Sequence, residues 1–187
     1  MATTMTIESL REILCSRDGC VLKSGSHEES SGDSCALEVV SVARALAFTD
    51  DPATLDMPDL RPLNDASWDS DKQRTEHLLP VIVECDWSAW SEARRLRFVE
   101  RLTILTVQQI VAELPGPPDE VRTRCREADD LDKTAQAAQA AWTAQAAEAA
   151  RAAWAAAEAA SSGSSSVLII ACSIWRQAAA ESAQGGE

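Results

Sequence analysis

The stretch Gly25-Ser26-His27-Glu28-Glu29-Ser30-Ser31-Gly32-Asp33-Ser34-Cys35-Ala36-Leu37-Glu38-Val39-Val40-Ser41-Val42-Ala43-Arg44-Ala45-Leu46-Ala47-Phe48-Thr49-Asp50-Asp51-Pro52 decides how the chain is read. Asp33 or Ser34 can accept backbone N–H bonds at a helix start, after which Ala36, Leu37, Val40, Ala43, Arg44 and Ala47 recur at helical spacing. Cys35 then falls in the first turn, where unsatisfied N–H groups and the positive end of the macrodipole favour a thiolate. Glu38 follows three residues on, on the same face. The glycine- and serine-rich loop lets His27 fold back over the helix start, and Asp50-Asp51 sits beyond the other end, where Pro52 stops the helix. Two readings follow. In one, Cys35 is a nucleophile, His27 its base and Glu38 or Asp50 the orienting carboxylate of a small thiol-dependent hydrolase, or these residues line a small-molecule pocket at the helix start. In the other, Cys35 is a small buried hydrophobe, Glu38 a solvated helix residue and His27 a loop residue.

Outward from this stretch the chain reads as helices, an all-α fold in an irregular bundle. Thr6 caps a first helix carrying Ile7, Leu10, Ile13 and Leu14 on one face. Beyond Pro52, the prolines of Met57-Pro58-Asp59-Leu60-Arg61-Pro62-Leu63 predict an extended, wrapping segment whose leucines plug grooves, closed by an Asn64-Asp65 turn. Asp69 or Ser70 starts a helix that Pro80 kinks or breaks. His77, on that segment, reads as a packing or surface residue. Trp87 and Trp90, three apart, share a helical face. A long helix follows from about residue 91 to 114, with the stripe Leu96, Val99, Leu102 or Thr103, Val107, Ile110 and Leu114, and with a basic group, Arg94, Arg95, Arg97 and Arg101, that pairs with Glu92, Glu100 and neighbouring helices.

Pro115-Gly116-Pro117-Pro118 is the sharpest break and separates a helical body, residues 1–114, from residues 119–182. The alanine-rich run 134–160 is helical almost irrespective of context, about 40 Å long at 1.5 Å per residue. Val167, Ile170, Ala171, Ile174, Trp175 and Ala178 repeat as the apolar face of a last helix. Together they predict a long Ala/Trp-rich antiparallel hairpin, packed on the body or on a second copy, with Trp142, Trp154 and Trp175 as partner-binding anchors.

Several motifs resemble a family of alanine- and tryptophan-rich proteins from actinobacteria and their phages: Gly25-Ser26-His27, Cys35-Ala36-Leu37-Glu38-Val39-Val40, Thr49-Asp50-Asp51-Pro52, Leu63-Asn64-Asp65 and Arg74-Thr75-Glu76-His77-Leu78-Leu79-Pro80-Val81-Ile82. The resemblance covers roughly residues 20–85. It implies kinship and adds no chemistry. Thr49 stands where the family pattern has His, and Leu63 where it has Trp, so any site needing a second imidazole is weakened.

The 187 residues suffice for an ordinary core, and 45% of them are apolar. A formal net charge of −13 argues against nucleic acid or an anionic membrane surface as partner and permits a basic protein. The six cysteines, Cys15, Cys20, Cys35, Cys85, Cys125 and Cys172, with no leader-like opening, point to a reduced, cytoplasmic setting in which disulfides are not expected. Cys15, Cys20, His27 and Cys35 are enough soft ligands for zinc, but their irregular gaps depart from Cys-x-x-Cys knuckles, so no metal is expected, nor any other cofactor. The run Val167 to Ile170 is too short to cross a bilayer. The sequence therefore favours a helical interaction or scaffold protein, binding a protein partner or itself, over the thiol enzyme.

Overall fold

The computed structural model describes residues 5–17, 19–113, 117–144 and 165–184, apart from the side chains at 142–144 and 165. Among these residues it contains nine α-helices, three short 3-10 turns and no strand. The fold is an irregular all-α arrangement in two compact units, Met1–Trp90 and Ser91–Glu187. No described helix is long and apolar enough to cross a membrane.

The first unit is built around α2 (Ala36–Ala43). Its sequence, Ala-Leu-Glu-Val-Val-Ser-Val-Ala, has only Glu38 and Ser41 as polar residues, and a helix apolar over most of its circumference must be covered on nearly every side. Six consecutive residues from Ala36 to Ser41 are accordingly buried, and α1 (Ile7–Ser16), α3 (Pro52–Leu55), α4 (Arg61–Asn64) and α5 (Asp71–Glu84) all pack against α2. At the start of α1, Thr6 and Ser9 form a reciprocal capping box, and Leu10 and Leu14 face inward. Ser70 caps α5.

Local chemistry departs from expectation at Pro52, Pro62 and Pro80. Instead of ending the preceding helix, Pro52 opens α3: α2 has already stopped at Ala43, Ala45 turns left-handed at φ 53°, and Asp51 caps the new turn. Pro62 sits in the first turn of α4, within the segment expected to be extended, because an N–H at a helix start has no intrahelical partner to lose. The expectation that the leucines of this segment plug grooves does hold for Leu60 and Leu63, which are buried, as are Leu55 and Met57 beside them. α5 continues through Pro80 as one helix, held by the packed Leu78, Leu79, Val81 and Ile82.

In the second unit, α6 (Glu92–Gln109) is the shared element; α7 (Asp119–Glu127), α8 (Leu131–Ala144) and α9 (Ser165–Gln184) each contact it. The boundary between compact units therefore falls before α6, at Trp90/Ser91, and not at the Pro115–Pro118 break, because α6 buries its apolar face against the last helix. The expected stripe is buried only in part, Val107 being inside. Leu96 and Val99 are 65% and 49% exposed, while Phe98, Ile104, Leu105 and Val107 are buried. Arg94 and Arg97 donate to the Ala179 and Ser182 carbonyls near the C-terminus of α9, and Arg101 pairs with Glu181 at 2.6 Å. Cations at the carbonyl end of a helix are favoured by its macrodipole, and long arginine stems cover apolar surface, so the arginine-bearing face is the packed one.

The last helix keeps Ile174 and Ala178 of the expected face inside, together with Leu168, Cys172 and Ala179, while Val167 and Ile170 are outside. Its main described packing partner is α6, whereas the expected hairpin would pair it with the alanine helix, part of which lies outside the described residues. α8 instead joins α7 in a small cluster of Val107, Ala112, Cys125, Ala128, Ala137 and Ala141.

Candidate functional site

The start of α2 gathers His27, Cys35 and Glu38, as the sequence leads one to expect, but in different roles. The helix cap is Cys35 itself, one or two residues later than Asp33 or Ser34. From the third helical position Glu38 reaches back, and its Oε2 accepts the Cys35 N–H at 2.7 Å. The same carboxylate accepts the His27 backbone N–H on Oε1 at 2.6 Å and the His27 Nδ1 on Oε2 at 2.8 Å. Glu38 is 1% exposed, so a buried carboxylate is satisfied by three donors at once. With a carboxylate accepting, Nδ1 carries the proton of this bond. Both the solvated reading of Glu38 and the loose-loop reading of His27 are corrected by this geometry.

The loop that delivers His27 is pinned from elsewhere in the unit. Gly25 turns at φ 83° and donates its N–H to Asp65 Oδ1 at 2.8 Å; Lys23 N–H bonds the Ser34 carbonyl at 2.9 Å. Asn64, 1% exposed, accepts the Ala36 N–H on Oδ1 at 3.1 Å and donates from Nδ2 to the Lys23 carbonyl at 2.9 Å. Arg74, 6% exposed, donates to the carbonyls of Asn64 and Leu22 and pairs with Asp71, which also holds Lys23 at 2.9 Å. Thr75 Oγ1 accepts the Leu22 N–H at 2.8 Å. Burial by itself raises the Asp71 carboxyl, but the bonds from Lys23 and Arg74 outweigh it and hold the group below its ordinary value. Asn64, Asp65, Asp71, Arg74 and Thr75 were not among the candidate residues. A signal for some of them existed, since Asn64-Asp65 and the Arg74 helix lie in the motifs that carry the family resemblance.

Cys35 is 2% exposed, and its thiol is pushed up to about 12. Burial is the main cause, the Glu38 charge adds to it, and the helix-start N–H groups offset only part. The expectation of a helix-activated thiolate is thereby overturned: desolvation and a neighbouring anion exceed what the helix end supplies. Asp50 does not join the cluster. Its charge is felt by Arg61, alongside Asp59 and Asp51. Ser41, on α2, receives the Thr49 N–H at 3.4 Å, and Thr49 in turn accepts the Asp51 N–H, so Thr49 shapes the turn before α3. His77 stacks on Trp68 with ring centroids 5.8 Å apart.

Of the three tryptophans read as partner anchors, Trp175 is turned inward, edge-on to Phe98 at 5.6 Å. The Trp142 side chain and Trp154 lie outside the described residues. A cleft of about 290 Å³ between α7 and α8 is lined by Arg124, Glu127, Ala128, Lys133, Gln136 and Ala137, and its two cations are already paired with Glu120 and Asp129. No group of three or more His, Cys, Asp or Glu among the described residues is placed to hold a metal ion. Two of the cysteines are joined: Cys15 and Cys20 form a disulfide, contrary to the all-reduced expectation, because α1 ends at Ser16 and Gly19 at φ 80° returns the chain. Comparison with protein-family models, with curated proteins and with solved structures finds no match.

Proposed function

We propose that this protein is a helical interaction or scaffold protein that associates with a second copy of itself through the helices of its second unit. One observation carries the reading. Of the six large hydrophobic side chains left exposed among the described residues, five are Leu96, Val99, Leu131, Val167 and Ile170 of the second unit, and only Leu46 belongs to the first. Leu96 and Val99 share one face of α6, and Val167 and Ile170 one face of α9. Charge points the same way. Residues 1–90 hold seven Lys and Arg against seventeen Asp and Glu, a net −10, whereas residues 91–187 hold ten against thirteen, a net −3. Two second units can meet with little repulsion, while the first unit supplies the charge that keeps the assembly dispersed. The thiol-hydrolase alternative loses its support in the sealed Cys35 and the occupied Glu38.

Sedimentation equilibrium of the full chain tests this reading. A dimer or higher oligomer at micromolar concentration is expected, with Leu96→Asp and Val167→Asp each shifting the mass toward the monomer while circular dichroism stays helical. A monomer throughout the concentration range, or an oligomer indifferent to both substitutions, overturns it.

A further inference from the structure

We infer that Cys15 and Cys20 form a thiol–disulfide exchange site, open to low-molecular-weight thiols and disulfides of the glutathione type, and that its redox state sets how tightly the segment leading to His27 and α2 is held. The four other cysteines, Cys35, Cys85, Cys125 and Cys172, are buried, and burial pushes the Cys35 and Cys172 thiols up to about 12. Cys15 and Cys20 are both exposed and only five positions apart, so an attacking thiolate reaches this pair and not the others. A bridge closing so short a loop removes less chain entropy from the unfolded state than a long-range bridge does, which makes it the weaker kind of staple for the fold as a whole.

Its local effect is larger. Cys20 is held left-handed at φ 57°, a conformation that costs a non-glycine residue, and two residues on Leu22 makes buried bonds with both groups of its backbone, donating its N–H to Thr75 and accepting from Arg74 on its carbonyl. Within the bridged turn, Arg17 donates from Nε to the Gly32 carbonyl at 3.2 Å and from Nη2 to the Glu29 carbonyl at 2.8 Å, and its guanidinium lies 4.8 Å from the centre of the Phe48 ring. The bridge thus fixes a cation that clamps the loop between His27 and Cys35. Reduction proceeds in two exchanges. A glutathione thiolate attacks one sulfur and the other leaves as a thiolate; a second glutathione attacks the mixed disulfide, so that two protein thiols and one glutathione disulfide result, with protons taken from water. Oxidation is the reverse, with glutathione disulfide as the electron acceptor.

The test equilibrates the full native chain in glutathione buffers from fully reduced to fully oxidised, quenches with acid, alkylates, and counts modified cysteines by mass spectrometry. A two-electron transition confined to Cys15 and Cys20 is expected, with the other four thiols unmodified until the protein is denatured. On reduction, backbone hydrogen exchange over residues 28–34 should accelerate by about fivefold, the scale of one or two lost hydrogen bonds. Cys15→Ser/Cys20→Ser should reproduce the reduced exchange pattern, and Arg17→Met should speed exchange there in both redox states. A pair that stays oxidised in excess glutathione, one that stays reduced in excess glutathione disulfide, or a transition that leaves exchange over residues 28–34 unchanged would each overturn the proposal.

Discussion

The two units hold helices together by different means. The first packs short helices around a wholly covered one and fills the space with large aliphatics: of the twelve largest fully buried side chains, nine (Leu10, Leu14, Leu22, Leu37, Leu55, Leu60, Leu78, Leu79 and Ile82) lie there. Its loops are tied by buried polar groups, Glu38, Asn64 and Arg74, each bonding two backbone atoms. The second unit has longer helices, only Phe98, Ile104 and Ile174 of that set, and a cluster that includes Ala112, Ala128, Ala137 and Ala141. Alanine secures the helix but buries little area, so stability there rests on propensity and on a few large contacts. The difference teaches that helical propensity and a sealed core are separable: the unit whose helices need least tertiary support is the one that leaves apolar side chains outside.

Substitutions can break this comparison in graded steps. Glu38→Ala strips the acceptors from the Cys35 N–H, the His27 N–H and the His27 ring, and should cost the first unit about 3 kcal/mol or more, since each buried donor left unmatched bears its own desolvation penalty. Denaturant unfolding followed by hydrogen exchange, read separately for residues 5–90 and 91–184, should place the loss in the first unit; equal acceleration in both would mean that they open as one cooperative body. Ala137→Gly should cost about 1 kcal/mol, felt in the second unit, because it weakens a helix that relies on propensity. A loss several times larger would show that close packing at that alanine, and not propensity, holds the cluster.

The smallest effects concern pH. Asp71 in the first unit and Glu181 in the second are both held below their ordinary values: burial raises each, and bonds from Lys23 and Arg74, or from Gln177 and Arg101, outweigh it. A depressed folded-state carboxyl contributes stability that is intact above the unfolded values, 3.8 and 4.5, and is lost as pH falls through the lower folded ones. Asp71→Asn should therefore flatten the acid limb of the first unit's stability curve and Glu181→Gln that of the second. A variant whose acid limb stays as steep as the parent's would show that other carboxyls govern acid unfolding there.

Which parts were legible follows from how far each cause reaches along the chain. Thr6, Ser70 and Ser91 cap the helices that follow them, because a cap is settled within three residues. The gathering of His27, Cys35 and Glu38 was legible for a similar reason, being a helix start with a pliant loop before it. Their roles were not: the sequence left Cys35 open between an activated thiol and a small buried hydrophobe, and only the closing of α1, α3, α4 and α5 over α2 decides for the second. Nor could apolar counting find the packed face of α6, whose arginines are drawn in by the carbonyl end of a helix about 85 residues away.

By itself, then, the sequence determined that this chain is helical, where most of its helices begin, and that a histidine, a thiol and a carboxylate meet at one helix start, since these follow from propensity, capping and spacing over a few residues. Tertiary structure alone decided which faces are hidden, where one compact unit gives way to the next, and that the meeting at α2 is a closed hydrogen-bonded lock. Burial and partner choice depend on residues tens of positions apart, and desolvation, the largest influence on that thiol, comes into being only when the chain is folded.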